Sequence, residues 1–316
     1  LPIFMWSMIL SGISWINAED MGNVNIKSYI KNDTILSITI ECPKKYNQKE
    51  VVICNGDKTL YSSNFTKISG TSTVISAEIP YPVRSLKYEP LKVYISSALA
   101  GTIDYLKLPY EYVNAKPLRY IKNIREFEKQ DAINPPEEGL ILFLGSSSIT
   151  RWKSVYADMS PLKVLNRGFG GSRSDDLLQY FNRVVLPYNP KTIVYYEGDN
   201  DIGGGKTPEQ LLNNFNEFVN LTRKHIPGCS KIFFVSIKPS PVREKTWLNS
   251  QKANQLILEY TKTTVDVEFI DITAVMFDKN GKLRTDIFAK DNLHMNEKGY
   301  ELWASIIKQR LLGLNK

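Results

Sequence analysis

From Gly139 onward the chain repeats one pattern: a short apolar run, a polar or glycine-rich break, then a stretch with helical spacing. The runs are "LILFL" (140–144), "KVLN" (163–166), "TIVYYE" (192–197), "KIFFVSI" (231–237) and "VEFIDI" (267–272). A strand with one wet face alternates apolar and polar residues; a strand that is apolar on both faces must be covered on both. Helical segments between such strands dictate a parallel sheet held between two helical layers. One of those helices is well marked. Thr207 can cap it, Pro208 suits its first position, Gln210 completes a capping box, and Leu211, Leu212, Phe215, Phe218 and Val219 share a face. The last helix is expected from about Asn296 to Leu312, with Tyr300, Trp303, Ile306, Ile307 and Leu311 inward.

The first half has a different texture. "TILSITIEC", "EVVIC", "STVISAEIP" and "LKVYISS" are short, alternating and rich in Val, Ile and Thr. That spacing predicts a small all-β, sandwich-like domain over 19–113. Residues 114–138, with "RYIKNIREFEKQ" and Pro135-Pro136, read as a linker. The opening stretch "LPIFMWSMILSGISWINAED" carries no charge before Glu19. It is too interrupted for a span of about 20 apolar residues. Its length and the small residue at Ala18 suit the remnant of a secretory signal peptide over 1–18, although no initiator Met or basic n-region precedes it. Sequons at Asn32, Asn64 and Asn220 agree with a secreted or extracytoplasmic setting, and no stable membrane insertion is expected.

Composition removes several classes of function. The 316 residues are 42% hydrophobic and 23% charged, enough to bury a large core without metal or disulfide staples. The net charge is +7, but the basic residues are scattered among acids, so no nucleic-acid partner is expected. Cys42, Cys54 and Cys229 form no Cys-x-x-Cys pair, and His225 and His294 are the only histidines. A structural zinc site needs about four closely spaced ligands, so no metal is expected. Cys42 and Cys54 could be bridged or free.

In an open parallel sheet, sites form beyond the carboxyl ends of the strands. There the second half places its unusual residues: Gly145-Ser146-Ser147-Ser148, then "RGFGGSRSDD", then Gly198-Asp199-Asn200-Asp201, and finally Asp291-Asn292-Leu293-His294 before the last helix. A serine hydroxyl is a weak nucleophile and needs a base. His294 can be that base, and Asp291 is close enough to fix its tautomer. A developing oxyanion needs donors already in place. Gly171, through its N–H, and Asn200, through its side-chain amide, suit that task alongside the N–H of the nucleophile.

Four blocks in this order resemble the SGNH (GDSL-type) hydrolase family over about 139–314: "FLGSSSIT", "NRGFGG", "GDND" and "DNLH". The resemblance implies a three-layer α/β/α, flavodoxin-like fold and ester hydrolysis without a cofactor. It makes Ser147 the nucleophile, His294 the base, Asp291 its orienting partner, and Gly171 and Asn200 the oxyanion donors. The first block departs from the family pattern, because Ser146 replaces an aspartate and one extra serine precedes Ile149. Counting from Gly145 selects Ser147; counting back from "SIT" selects Ser148.

Three motifs are set aside. "GGGKT" (203–207) lacks the early glycine of a phosphate loop, its place taken by Asn200. "GFGG" (168–171) lacks the third glycine of a dinucleotide fingerprint, having Arg173 there. His225 suits a helix end. In the loop "KPSPVREKTW", Arg243 and Trp247 are candidate substrate contacts. The whole reads as a serine esterase of small, acetyl-type acyl esters, acting on a small ester or an acetylated carbohydrate. The alternatives are a lipid-directed esterase or thioesterase on the same site, and a carbohydrate-binding module fused to an inactive hydrolase fold.

Overall fold

The structure, a computed structural model, describes residues 24–80, 90–104, 108, 110, 111 and 117–313. The signal-peptide expectation for 1–18 lies outside them. Two compact units divide the chain, residues 1–119 and 120–316.

The first unit is all-β. Its strands are β1 (Asn25–Lys31), β2 (Ile35–Pro43), β3 (Glu50–Asn55), β4 (Lys58–Asn64), β5 (Lys67–Ser69), β6 (Ser72–Pro80), β7 (Leu91–Ile95), β8 (Ala98–Ile103) and β9 (Tyr110–Glu111). They form two sheets, ordered β5-β6-β2-β1-β9 and β4-β3-β7-β8, antiparallel except for the β1–β9 pair. Alternation does the work: Leu36, Ile38, Ile40 and Cys42 of β2 are buried and their neighbours are not. Both sheets feed one core, where these residues join Val51 and Ile53 of β3 and Val93 of β7. β4 carries no apolar alternation, since "KTLYSSN" is a largely exposed edge strand. Cys42 and Cys54 lie in different sheets as free thiols, and burial pushes the Cys42 thiol up to about 11.

The second unit opens within the stretch read as a linker, at helix α1 (Ile121–Ile133). Two buried ion pairs hold α1 to its unit. Arg183 grips Glu128 through Nε and Nη2, each at 2.7 Å, and Arg167 pairs with Asp131, whose other oxygen accepts from the Tyr188 hydroxyl at 2.7 Å. A five-stranded sheet follows: β10 (Ile141–Gly145), β11 (Val164–Asn166), β12 (Thr192–Tyr196), β13 (Lys231–Val235) and β14 (Val267–Ile270). All pairs are parallel, in the order β11-β10-β12-β13-β14. The remaining helices are α2 (Ser147–Thr150), α3 (Val155–Met159), α4 (Ser174–Gln179), α5 (Phe181–Val184), α6 (Asp199–Gly203), α7 (Pro208–His225), α8 (Trp247–Lys262) and α9 (Glu297–Gly313).

Two adjacent residues show the layering. Tyr195 packs on Phe215 and Phe218 of α7, with ring centroids 5.1 and 4.9 Å away, while Tyr196 packs on Trp303 of α9 at 4.9 Å. Successive strand residues point to opposite faces, so the sheet is covered on both sides. This is the expected three-layer α/β/α arrangement. The Thr207 capping box is present, with Gln210 N–H donating to Thr207 Oγ1 at 3.2 Å and Thr207 N–H to Gln210 Oε1 at 2.8 Å. The strand order reverses at β10, which makes the crevice beyond its carboxyl end the natural site.

Candidate active site

β10 ends at Gly145 with φ +150, so close to β12 that a Cβ there would sit 2.2 Å from the Tyr196 carbonyl oxygen. Only glycine fits, and the chain turns at once into α2. Ser146 caps this single turn, its carbonyl accepting the N–H groups of Ile149 and Thr150, each at 3.0 Å. Ser146 and Ser148 are 2% exposed, whereas Ser147 is half-buried. Ser147 Oγ lies 2.8 Å from His294 Nε2. Ser148, the other counting of the motif, is turned inward, and its carbonyl accepts the Tyr300 hydroxyl at 2.9 Å. Because α2 is one turn long, a helix macrodipole adds little at Ser147.

The loop before α9 folds on its own aspartate. Asp291 Oδ1 accepts the N–H of Leu293 at 3.1 Å and of His294 at 2.9 Å, while Oδ2 lies 2.7 Å from His294 Nδ1. Arg151 Nη1 approaches Oδ2 at 3.3 Å from solvent. The His294 N–H, then its ring, then the Leu293 N–H hold the Asp291 carboxyl well below the usual carboxylate range. An ionised carboxylate only accepts hydrogen bonds, so Nδ1 carries the proton and the Nε2 lone pair faces Ser147.

The second block wraps the other side of Ser147. Asn166 Nδ2 donates to Ile149 O at 2.7 Å and its Oδ1 accepts the Gly168 N–H at 2.9 Å, which latches this loop to α2. A Cβ on Gly168 would lie 2.8 Å from Ile149 side-chain atoms, and one on Gly170 would lie 3.8 Å from Ser147 Cβ. Gly171 has φ +85, and its carbonyl accepts the Tyr120 hydroxyl at 2.5 Å. Among the described residues, no protein acceptor takes the N–H of Ser147 or of Gly171.

The third block reaches the same loop. Asn200, in the first turn of α6, donates Nδ2 to Ser172 O at 3.0 Å, and its Oδ1 accepts Arg243 Nη2 at 3.2 Å. The preceding Asp199 takes Arg243 Nε at 2.7 Å and buried Lys238 Nζ at 2.9 Å. Burial tends to raise the Asp199 carboxyl, but Lys238 and Arg243 outweigh it and hold it low. Behind them Ser172 Oγ donates to the fully buried Glu197 at 2.5 Å. Burial, reinforced by Asp201, pushes Glu197 far above the ordinary glutamate value.

Ser147, His294 and Asp291 are therefore joined by hydrogen bonds, with Gly171 on the loop that flanks Ser147 and Asn200 bonded to that loop from α6. Arg243 is engaged inside the protein by Asp199 and Asn200. Trp247 faces Phe277, with ring centroids 6.4 Å apart. Lys206 of the "GGGKT" stretch pairs with Asp175 at 2.9 Å and Asp201 at 3.0 Å, and Thr207 is the cap of α7. His225 packs near Phe181 at the end of α7. Sequence reasoning missed Tyr120, Arg151, Asn166 and Glu197. Of these Glu197 left a signal, as a charged residue ending an otherwise apolar strand.

Comparison with known proteins places this fold in a family. The GDSL-like Lipase/Acylhydrolase family matches residues 141–302, and the chain belongs to it. It is an ester hydrolase of that family. A protein from Bacteroides fragilis, provisionally named an acylhydrolase, is similar at 21% identity and TM-score 0.55 over 63% of this chain and 100% of that one. A protein from Streptococcus pneumonia, provisionally named a platelet activating factor, gives 24% identity and TM-score 0.54 over 60% and 91%. A GDSL-like lipase from Bacteroides thetaiotaomicron gives 21% and 0.51 over 61% and 98%. At these identities the likeness is one of fold. No curated protein sequence matches the chain.

Proposed function

We propose that the chain is a serine esterase that removes small, acetyl-type acyl groups through an acyl-enzyme, with acetylated carbohydrate as the substrate class. The observation that carries this reading is the unbroken relay from Asp291 through His294 to Ser147, with links of 2.7 and 2.8 Å. Ser147 Oγ bonds to the ester carbonyl carbon as His294 Nε2 takes its proton. The tetrahedral oxyanion is held by the N–H groups of Ser147 and Gly171 and by the Asn200 amide. Collapse breaks the carbon–oxygen bond to the alcohol, which leaves with the proton from Nε2. A water then attacks the acyl carbon, giving its proton to Nε2. The carboxylic acid departs and Ser147 Oγ recovers its proton.

The small acyl group is favoured because no long apolar lid segment separates the four blocks. Action outside the cytoplasm rests on the composition of residues 1–18. None of the described helices is long and apolar enough to cross a membrane.

The test is hydrolysis of p-nitrophenyl esters of increasing chain length by the wild type, Ser147→Ala and Ser148→Ala, with mass mapping of a serine-directed phosphonate. The expected result is turnover greatest on acetate, abolished in Ser147→Ala and largely kept in Ser148→Ala, with the label on Ser147. Preference for long chains would instead favour a lipid-directed esterase. No turnover by the wild type, with sugar retention, would favour the binding-module reading.

A further inference from the structure

The turn at 241–246 touches both halves of the site. Val242 N–H donates to Asn292 O at 3.4 Å, on the loop that carries Asp291 and His294. The next residue, Arg243, reaches α6 and spreads its guanidinium over Asp199 Oδ1 and Asn200 Oδ1. Gly203 makes this approach available, since a Cβ there would lie 2.4 Å from Arg243 Nη1 and 2.5 Å from its Cζ. Lys238 completes the cradle from beneath, fully buried against the other oxygen of Asp199.

The Asn200 amide is consequently specified from both ends. A guanidinium can only donate, so the end it touches must be the amide oxygen. The Ser172 carbonyl can only accept, so the end it touches must be the NH2. A bare asparagine side chain could present either end to the pocket, and an amide oxygen turned toward an oxyanion would repel it. With the oxygen held by Arg243, one hydrogen of the NH2 goes to Ser172 and the other is left for substrate.

We infer that Arg243 is a positioning residue of the esterase, which acts by holding the Asn200 amide with its NH2 toward the oxyanion, and that it does not bind substrate. This rests on the proposed role of Asn200. The residue acts through one bond of its fork, from Nη2, while the Nε bond anchors it to Asp199. Lysine can replace the charge beside Asp199 but not the two-pronged geometry.

The test is a double-mutant cycle on p-nitrophenyl acetate with Arg243→Ala, Arg243→Lys, Asn200→Ala and the pair Arg243→Ala/Asn200→Ala, each shown to be folded by thermal unfolding. Loss of an oxyanion donor costs about 10²–10³ in kcat. Asn200→Ala is expected in that range, and Arg243→Ala is expected to lose about 10- to 100-fold in kcat with KM within about threefold. Arg243→Lys, which keeps the charge, should be impaired nearly as much. In the Asn200→Ala background the arginine should matter little, so the pair should be no worse than Asn200→Ala by more than about twofold. Added guanidinium should partly restore Arg243→Ala and leave the pair unchanged. Multiplying effects, a change confined to KM, or a fully active Arg243→Lys would overturn the inference. If Asn200→Ala itself loses nothing while Ser147→Ala is dead, the oxyanion assignment fails and the esterase reading survives; if Ser147→Ala stays active, the esterase reading fails first.

Discussion

The hydroxyl of Tyr120 donates to the carbonyl of Gly171 at 2.5 Å, across 51 positions of sequence. Tyr120 precedes α1 in a left-handed conformation, φ +65, and its ring meets Phe169 edge-on at 5.3 Å. It therefore grips, at two points, the loop that carries Gly170 and Gly171 beside Ser147. A neutral, partly buried hydrogen bond of this kind contributes about 1 kcal/mol. Tyr120→Phe keeps the ring contact and is expected to lose about that much stability in urea denaturation. Its kcat on p-nitrophenyl acetate should fall several-fold with KM little changed. An unaltered kcat would show that the loop holds its shape without Tyr120.

Gly145 sets where the strand ends and Ser147 begins. Its φ of +150 and the 2.2 Å approach to Tyr196 O leave no place for a side chain. Gly145→Ala must shift the backbone of β10 or β12, and strain at such a point belongs in the severe tail of single substitutions, about 3 kcal/mol or more. Gly228 has open space and no positive φ. Gly228→Ala should stay within about 0.5 kcal/mol of the wild type. Denaturant midpoints of the two variants provide the check.

Glu197 predicts a pH dependence of stability. Its carboxyl is raised well above 4.5 by burial first and by Asp201 second. A raised carboxyl keeps its proton in the folded state where the unfolded chain has released it. The folded state then binds more protons, so stability falls as pH rises from about 4.5 toward the raised value. Glu197→Gln removes the ionisation and keeps an acceptor for Ser172. The variant is expected to match the wild type near pH 4.5 and to exceed it increasingly at pH 7 and 8. Parallel stability curves would rule out a buried neutral Glu197.

Asp291 and Arg151 share a contact of 3.3 Å, but the two are not equivalent. Both side chains are half exposed, and such a pair is worth little and is screened by salt. The bonds that matter to Asp291 come from His294. Asp291→Asn puts a donor where Nδ1 needs an acceptor and is expected to lower kcat by about 10³–10⁴. Arg151→Ala should cost less than about threefold, and that difference should vanish in molar salt. A large, salt-independent loss in Arg151→Ala would place it in the site rather than at its rim.

How much of this could be read from the sequence follows from which signals are local. The five strands of the second unit are contiguous apolar runs, and the α7 cap lies within four residues, so both were legible. The choice between Ser147 and Ser148 needed the start of α2, which buries the serines on either side. Asn166 and Tyr120 were given no role of their own, and Arg243 was read as a substrate contact rather than as a partner of Asp199 and Asn200. The partners of Asn166, Tyr120 and Arg243 are 17, 51 and 43–44 positions away, and hydrogen bonds between distant polar residues leave no periodicity. The exposed edge strand β4 went unseen because nothing in it alternates.

The unread helix α1 yields the last prediction. "RYIKNIREFEKQ" has helical spacing, but its buried residues include Glu128 and Asp131, which a linear reading assigns to solvent. Both are buried because Arg183 and Arg167 meet them there, with side-chain exposure of at most 6% on all four residues. A buried ion pair contributes little net against an apolar replacement, but losing one partner strands a desolvated charge and costs about 3–5 kcal/mol. Glu128→Ala is therefore expected to lose about that much stability, and Glu128→Leu with Arg183→Met far less than the single change. Since α1 follows directly on Tyr120, the Glu128→Ala variant should also weaken the grip on Gly171 and lower kcat more than the paired replacement does. Urea denaturation and p-nitrophenyl acetate kinetics on the same three proteins measure both effects. Equal stability of the single and double variants would mean that α1 is held by its apolar residues, Ile121 and Ile124, alone.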